Sequence, residues 1–111
     1  MKTLKFTPEL CEQILEGSKT STWRLFDDKD IRTNDDLAFV NKATGEIIGV
    51  AEVMAVKIKT LGTIEEEDWE GHEQYGSVEE MLKAYRQYYG EGVSLETELK
   101  IINFTFQATS H

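Results

Sequence analysis

Gly17-Ser18-Lys19-Thr20-Ser21-Thr22-Trp23-Arg24 lies where a helical pattern stops and an extended one begins. Upstream, Thr7 suits a helix cap and Pro8 the first helical position. Leu10, Cys11, Ile14 and Leu15 then recur at helical spacing, and Gly17 ends the run as a left-handed C-terminal cap. Residues 20–25 are β-branched and aromatic enough to predict a strand. Side chains alternate along a strand, so Trp23 and Leu25 face the core while Thr22 and Arg24 share the other face, with Lys19 in the turn. Backbone amides left free at the Gly17 reversal, together with Lys19, Arg24 and the Thr22 hydroxyl, suit a phosphate or a polar carbonyl. Spacing alone equally fits surface cations beside an ordinary strand.

Working outward, residues 2–6 read as a short strand before the helix. A polar loop, 27–36, follows the second strand. Residues 37–40 and 46–58 predict two strands joined by 41–45, a hairpin loop ending in a left-handed Gly45. Along the longer strand Val50, Met54, Val56 and Ile58 share one face, and Ala51, Val53 and Ala55 the other. That pattern predicts burial on both sides, with Gly49 a candidate bulge. Two capping boxes come next. Thr63-Ile64-Glu65-Glu66 predicts a short helix to about Glu70, ended by Gly71. Ser77-Val78-Glu79-Glu80 predicts a longer one with a core stripe of Val78, Met81, Leu82, Tyr85 and Tyr89, ended by Gly90 and Gly92. A last strand, 99–108, alternates Ile102, Phe104 and Phe106 with Asn103, Thr105 and Gln107. The order is mixed α/β, strand-rich enough for a small barrel of about five strands flanked by two or three helices.

The chain has 111 residues, which fits one domain, 1–111, with a core that needs no disulfide or metal staple. Its single cysteine, Cys11, allows no internal disulfide and points to a reducing compartment. It lies on the apolar stripe of the first helix, as a core residue rather than a nucleophile. The sequence has no apolar run of the ~20 residues that span a bilayer, and the cytoplasm is the expected location. A net charge of −9 disfavours a long duplex nucleic acid, whose binding relies on Lys and Arg displacing counterions. The charge is uneven. Residues 1–33 balance, whereas the stretch between Lys59 and Lys83 has only acids, so an anionic ligand is expected near the first third. His72 and His111 lack the partners a zinc site needs, so no metal and no cofactor are expected.

Gly17-x-Lys19-x-x-Thr22-x-Arg24 after a Pro-Glu-Leu helix resembles the signature of the ASCH domain family, a branch of the PUA-like superfamily. Trp69-Glu70-Gly71-His72-Glu73, the Ser77 helix and the closing strand are similar to that family and in its order, so the resemblance spans essentially the whole chain. It implies a small PUA-like β-barrel with a cleft lined by the Gly17–Arg24 segment, and RNA or nucleotide binding. One branch of the family deacylates N4-acetylcytidine with a Lys and a Thr of this motif and a downstream Glu. Lys19 and Thr22 match the first two, and either Glu70 or Glu73 the third.

Two functions follow. As a binding module, the domain would hold RNA or a nucleotide or nucleoside through Gly17, Ser18, Lys19, Thr22 and Arg24, with Trp69 or Tyr75 stacking on a base. Trp69 equally suits packing against the barrel. As an amidohydrolase, Thr22 Oγ1 would attack the acyl carbonyl and Lys19 would take its proton. Glu70 or Glu73 would serve the leaving amine, and amides near Ser18 the oxyanion.

Overall fold

The computed structural model describes residues 1–25, 29–69 and 75–108. Strand β1 (Lys2–Phe6) leads into helix α1 (Pro8–Glu16), followed by β2 (Ser21–Leu25), β3 (Asp36–Asn41) and the long β4 (Ile47–Thr60). Two 3-10 turns, Leu61–Thr63 and Glu66–Trp69, precede α2 (Val78–Tyr89) and β5 (Glu98–Ala108). The strands form one sheet in the order β1-β3-β4-β5-β2, with β1 parallel to β3 and the other pairs antiparallel. The sheet curls into a half-barrel of PUA-like, mixed α/β type. Its edge strands, β1 and β2, come together: Arg24 Nη2 on β2 donates to the Lys5 carbonyl on β1 at 3.1 Å.

Local signals set the helix ends. Thr7 Oγ1 accepts from the Leu10 amide, and Gly17 takes φ 89°, which only glycine adopts without strain. Ser77 caps α2 by accepting from the Glu80 amide. Within α1 only Cys11 and Ile14 of the predicted stripe are buried, and Leu15 faces solvent. Within α2, Met81 and Tyr85 are buried, Leu82 and Tyr89 are half-buried, and Val78 in the first turn is exposed.

The curled sheet has two cores, one on each face. On the concave face α1 places Cys11 and Ile14 against Leu4, Phe6, Leu37, Phe39, Ala51, Val53, Ile102 and Phe104. Phe39 is the hub, 4.7 Å from Phe6 and 4.9 Å from Phe104 between ring centroids. On the convex face α2 lays Met81 and Tyr85 over Trp23, Leu25, Leu99 and Ile101. The β2–β5 register pairs Thr22 with Ile102 and Trp23 with Ile101, so Thr22 and Trp23 lie on opposite faces.

Two expectations are corrected. Strand β4 is not buried on both faces: Met54, at the bulge, is 54% exposed, and Ile58, in register with Lys100 near the end of the strand, is 63% exposed. A bulge between Val53 and Ala55 also resets the alternation, so Val56 joins the concave core and Ala55 turns outward. Nor does Thr63 cap a helix. Its hydroxyl accepts from the Thr60 amide at 3.0 Å instead, and the segment after it forms only a 3-10 turn. Gly49 flanks a second irregularity, opposite Phe39 and Val40. Gly71 lies outside the described residues.

That 3-10 turn carries a buried carboxylate. Asp68 Oδ2 accepts from Lys59 Nζ at 2.6 Å and from the Glu65 amide at 2.9 Å, and Lys57 Nζ lies 3.6 Å from Oδ1. Burial pushes its carboxyl up, but the Lys59 bond, the Glu65 amide and the Lys57 charge outweigh that and hold it below the usual range. A depressed folded-state value stabilises the protein above the unfolded carboxyl's range and loses that contribution as pH falls through it. Asp68→Asn is therefore expected to cost about 2 kcal/mol at neutral pH, since it weakens hydrogen bonds to a charged group. Thermal melts of both proteins check this: the gap between them should narrow below about pH 4, and a gap independent of pH would refute it.

Candidate functional site

The meeting of β1 and β2 leaves a cleft of about 200 Å³. Lys5, Phe6, Thr7 and Leu10 form one wall, Thr22, Trp23 and Arg24 another, with Lys42 from the β3–β4 hairpin at the rim. Tyr75 and three tyrosines of α2, Tyr85, Tyr88 and Tyr89, complete it. Tyr85 stacks between Trp23 and Tyr89, at 6.3 and 6.2 Å with planes inclined by 12° and 14°. Tyr75 leans on Tyr85 from 6.2 Å. Tyr88 is 60% exposed.

Arg24 is the central cation. Its guanidinium lies 4.9 Å from the centre of the Phe6 ring, and its Nη2 holds the Lys5 carbonyl. Its Nε is buried and has no hydrogen-bond partner among the described residues. Lys5, Arg24 and Lys42 give the cleft three cations, and no carboxylate is among the described residues that line it. Such a lining suits an anion with a flat ring, the cations taking charge and the tyrosines a π-face.

The structure divides the Gly17–Arg24 segment. Thr22 and Arg24 line the aromatic cleft, whereas Gly17 and Lys19 line a different one with Ile14, Thr20, Phe104 and Phe106. Lys19 is only 2% exposed and its Nζ donates to the Ser21 carbonyl at 2.8 Å. No hydrogen bond joins Lys19 to Thr22 among the described residues. The expectation of free amides at the turn is corrected: the Gly17 amide donates to the Ile14 carbonyl, and those of Ser18 and Lys19 to that of Gln13. The left-handed Gly17 turns them back onto the carbonyls that the helix end leaves open. Ser18 Oγ is likewise engaged, with Glu16 at 2.8 Å.

Trp69 packs 4.6 Å from Trp23 and does not line the cleft, whereas Tyr75 does. Glu70, His72, Glu73 and His111 lie outside the described residues. No cluster of three His, Cys, Asp or Glu suited to a metal occurs among the described residues. Cys11 is buried in the concave core, and burial pushes its thiol up, away from the reactive thiolate. Lys5, Lys42 and Tyr88 carry no local signal of a site in the sequence.

No protein-family model matches the chain, and no curated protein matches it. Solved structures do match. Protein EF3133 from Enterococcus faecalis, of family DUF984, superposes with a TM-score of 0.77 at 13% identity, over 93% of this chain and 74% of that one. The hypothetical protein PH0355 gives 0.74 at 26% identity, over 96% of this chain and 100% of that one. The ASCH protein from Zymomonas mobilis gives 0.70 at 17% identity, over 96% and 68%. A curled five-stranded sheet with a helix on each face is thus a PUA-like half-barrel. Within that class, this chain has the ASCH-domain fold. No helix among the described residues is long and apolar enough to cross a membrane.

Proposed function

We propose that this domain binds a nucleotide-sized ligand, as a nucleotide, a nucleoside or a short stretch of single-stranded RNA, between β1 and β2. Thr22 and Arg24 of the Gly17-x-Lys19-x-x-Thr22-x-Arg24 segment meet it, together with Lys5, Lys42 and the tyrosines. One observation carries this reading: three cations and an aromatic wall, with no carboxylate among the described lining residues, on a chain of net charge −9. A long duplex is disfavoured, because phosphates beyond the cleft would meet the acidic surface.

Titration with uridine 5′-monophosphate and short single-stranded RNA at low salt, followed by tryptophan fluorescence, tests it. Affinity should fall as salt rises. Tyr88→Ala alters an exposed ring, so the fold is spared, and binding should weaken roughly 5- to 100-fold, the range of one base–aromatic stack. No binding at low salt, or unchanged affinity in Tyr88→Ala, would overturn the reading.

A second reading, hydrolysis of an acylated nucleobase, rests on the burial of Lys19 and Thr22, which are 2% and 4% exposed. Lysine is among the residues least often buried, and Lys19 is buried three positions before a threonine that lines the cleft, residue types that suit a base and a nucleophile. Release of acetate from N4-acetylcytidine, abolished in Thr22→Ala and partly kept in Thr22→Ser, would establish it. No turnover at high enzyme concentration would remove it for that substrate.

A further inference from the structure

The convex apolar cluster borders two lysines. Trp23 on β2, Ile101 on β5 and Lys57 on β4 form one row across the sheet, and Leu25, Leu99 and Lys59 form the next. Residues in direct register share a face, so both lysines stand on the convex face beside the cluster that α2 covers. The 3-10 turn Glu66–Trp69 crosses these rows. Its Asp68 meets the lysines on β4, and the neighbouring Trp69 meets Trp23 on β2.

A 3-10 turn has poor hydrogen-bond geometry of its own, so side chains must fix this one in place. Asp68 is its anchor. The carboxylate is 1% exposed, and Oδ2 accepts from both Lys59 Nζ and the Glu65 amide. Lys57 Nζ faces Oδ1, which makes no hydrogen bond among the described residues. The flanking pairs, Lys57 with Glu67 and Lys59 with Glu65, lie at 3.6 and 3.9 Å between more exposed groups and add little. Apolar packing alone is non-directional, whereas charge-assisted bonds fix an orientation.

Aromatic contacts lead from this anchor to the tyrosine-lined cleft. Trp69 lies 4.6 Å from Trp23 and 6.1 Å from Tyr75 between ring centroids. Tyr75 and Trp23 in turn lie 6.2 and 6.3 Å from Tyr85. Trp23, Tyr75 and Tyr85 all line the cleft, and Trp69 does not. Close-packed interiors transmit displacement rather than absorb it, so a loosened turn shifts the rings it touches.

We propose that Asp68 is a positioning residue for the cleft: anchored to Lys59 and Lys57, it holds Trp69 against Trp23 and Tyr75 and so sets the aromatic wall on which a ligand stacks. The proposal rests on the nucleotide-binding reading and gives a part in it to a segment outside the cleft.

Asp68→Asn keeps the size of the side chain and removes its charge. Two readouts, both taken well below the melting temperature, separate positioning from stability. Without ligand, Trp23 and Trp69, the chain's only tryptophans, should lose the exciton couplet that their 4.6 Å separation and 54° inclination give in circular dichroism. With uridine 5′-monophosphate, calorimetric titration should show affinity lowered roughly fivefold or more, from the low end of one base–aromatic stack upward. Val53→Ala, in the concave core and outside the cleft lining, controls for lost stability and should leave both readouts unchanged. Trp69→Leu completes a double-mutant cycle. Because Asp68 acts through Trp69, Asp68→Asn should weaken binding no further in that background. Lys59→Gln loosens the same anchor from the β4 side and should repeat both effects, and it takes the place of Asp68→Asn in every arm if that variant does not fold. A couplet kept, an affinity left unchanged, or additive losses in the cycle overturns the proposal and leaves the nucleotide-binding reading standing. No binding by the unaltered protein at low salt overturns both.

Discussion

Gly49→Val is expected to leave the chain unable to hold its native sheet. Gly49 lies on β4 where β3 and β5 both pair with it, opposite Phe39 and Ala108. A Cβ there would lie 2.3 Å from the Gln107 carbonyl oxygen and 2.5 Å from an edge carbon of the Phe106 ring. Neither neighbour yields cheaply. The first is backbone in the β4–β5 ladder. The second packs against Phe39, with ring centroids 5.7 Å apart, and so transmits any shift into the concave core. Overpacking of a well-filled site costs about 1–3 kcal/mol, and Gly49→Ala should fall at the upper end of that range. The branched valine adds two more methyl groups to a space that lacks room for the first, which threatens a domain whose whole stability is about 5–15 kcal/mol. Denaturant unfolding followed by circular dichroism checks this. Gly92→Ala, where a Cβ meets nothing, is the matched control and should unfold near the original midpoint. A Gly49→Val protein that unfolds at that same midpoint would contradict the close approach.

Gly49 also shows what the sequence discloses and what it hides. Its presence inside an otherwise apolar strand marks a special backbone position, but not whether the cause is a bulge or a neighbour. The structure has both: an irregularity opposite it and Phe106 pressed against it. Signals that act within a few residues are legible. Thr7, Pro8, Gly17 and Ser77 fix helix ends because the groups they satisfy are three or four positions away. Alternation along β5 is legible for the same reason, as one strand carries both faces. The bulge at Met54 is not legible, because Val53-Met54-Ala55 has no residue that demands it, and beyond it every assignment of faces on β4 inverts. The candidate cleft is harder still. It arises where the first and last strands of the sheet order meet, so Lys5, Lys42 and Tyr88 become neighbours only after the sheet has curled. Thr22 and Arg24 were within reach of strand alternation, and Lys19 was not. It precedes the strand, and its buried side chain turns back to the Ser21 carbonyl.

The curling that hides the cleft also makes Arg24 its most exposed dependency, and Arg24→Ala is expected to weaken nucleotide binding by roughly 30-fold or more, the loss of a charge-assisted contact of ~2–3 kcal/mol. Three observations set that size. Arg24 lines the tyrosine cleft beside Thr22, so a ligand there meets it. Its buried Nε has no partner among the described residues, which leaves a donor for an incoming oxygen. Its Nη2 bond to the Lys5 carbonyl and its place over Phe6 hold it at the junction of the edge strands before any ligand arrives. The fold should survive the change, because the edges also rest on separate ladders to β3 and β5, and the Lys5 carbonyl can turn to water. A small fall in melting temperature is the expected structural cost, in keeping with a single cation–π contact of ~0.5–1 kcal/mol at a partly exposed site. Arg24→Lys separates charge from shape. It keeps the positive charge but not the planar fork that reaches the Lys5 carbonyl and a phosphate at once, so it should recover only part of the affinity. The salt dependence distinguishes the two variants: for a single strand its slope should drop by about 0.7 in Arg24→Ala, one lost phosphate contact, and stay near the original in Arg24→Lys. Were Arg24→Ala to bind uridine nucleotides with unchanged affinity and slope, Arg24 would be a clasp between two strands and nothing more, and the ligand would have to be sought at Lys5 and Lys42 instead.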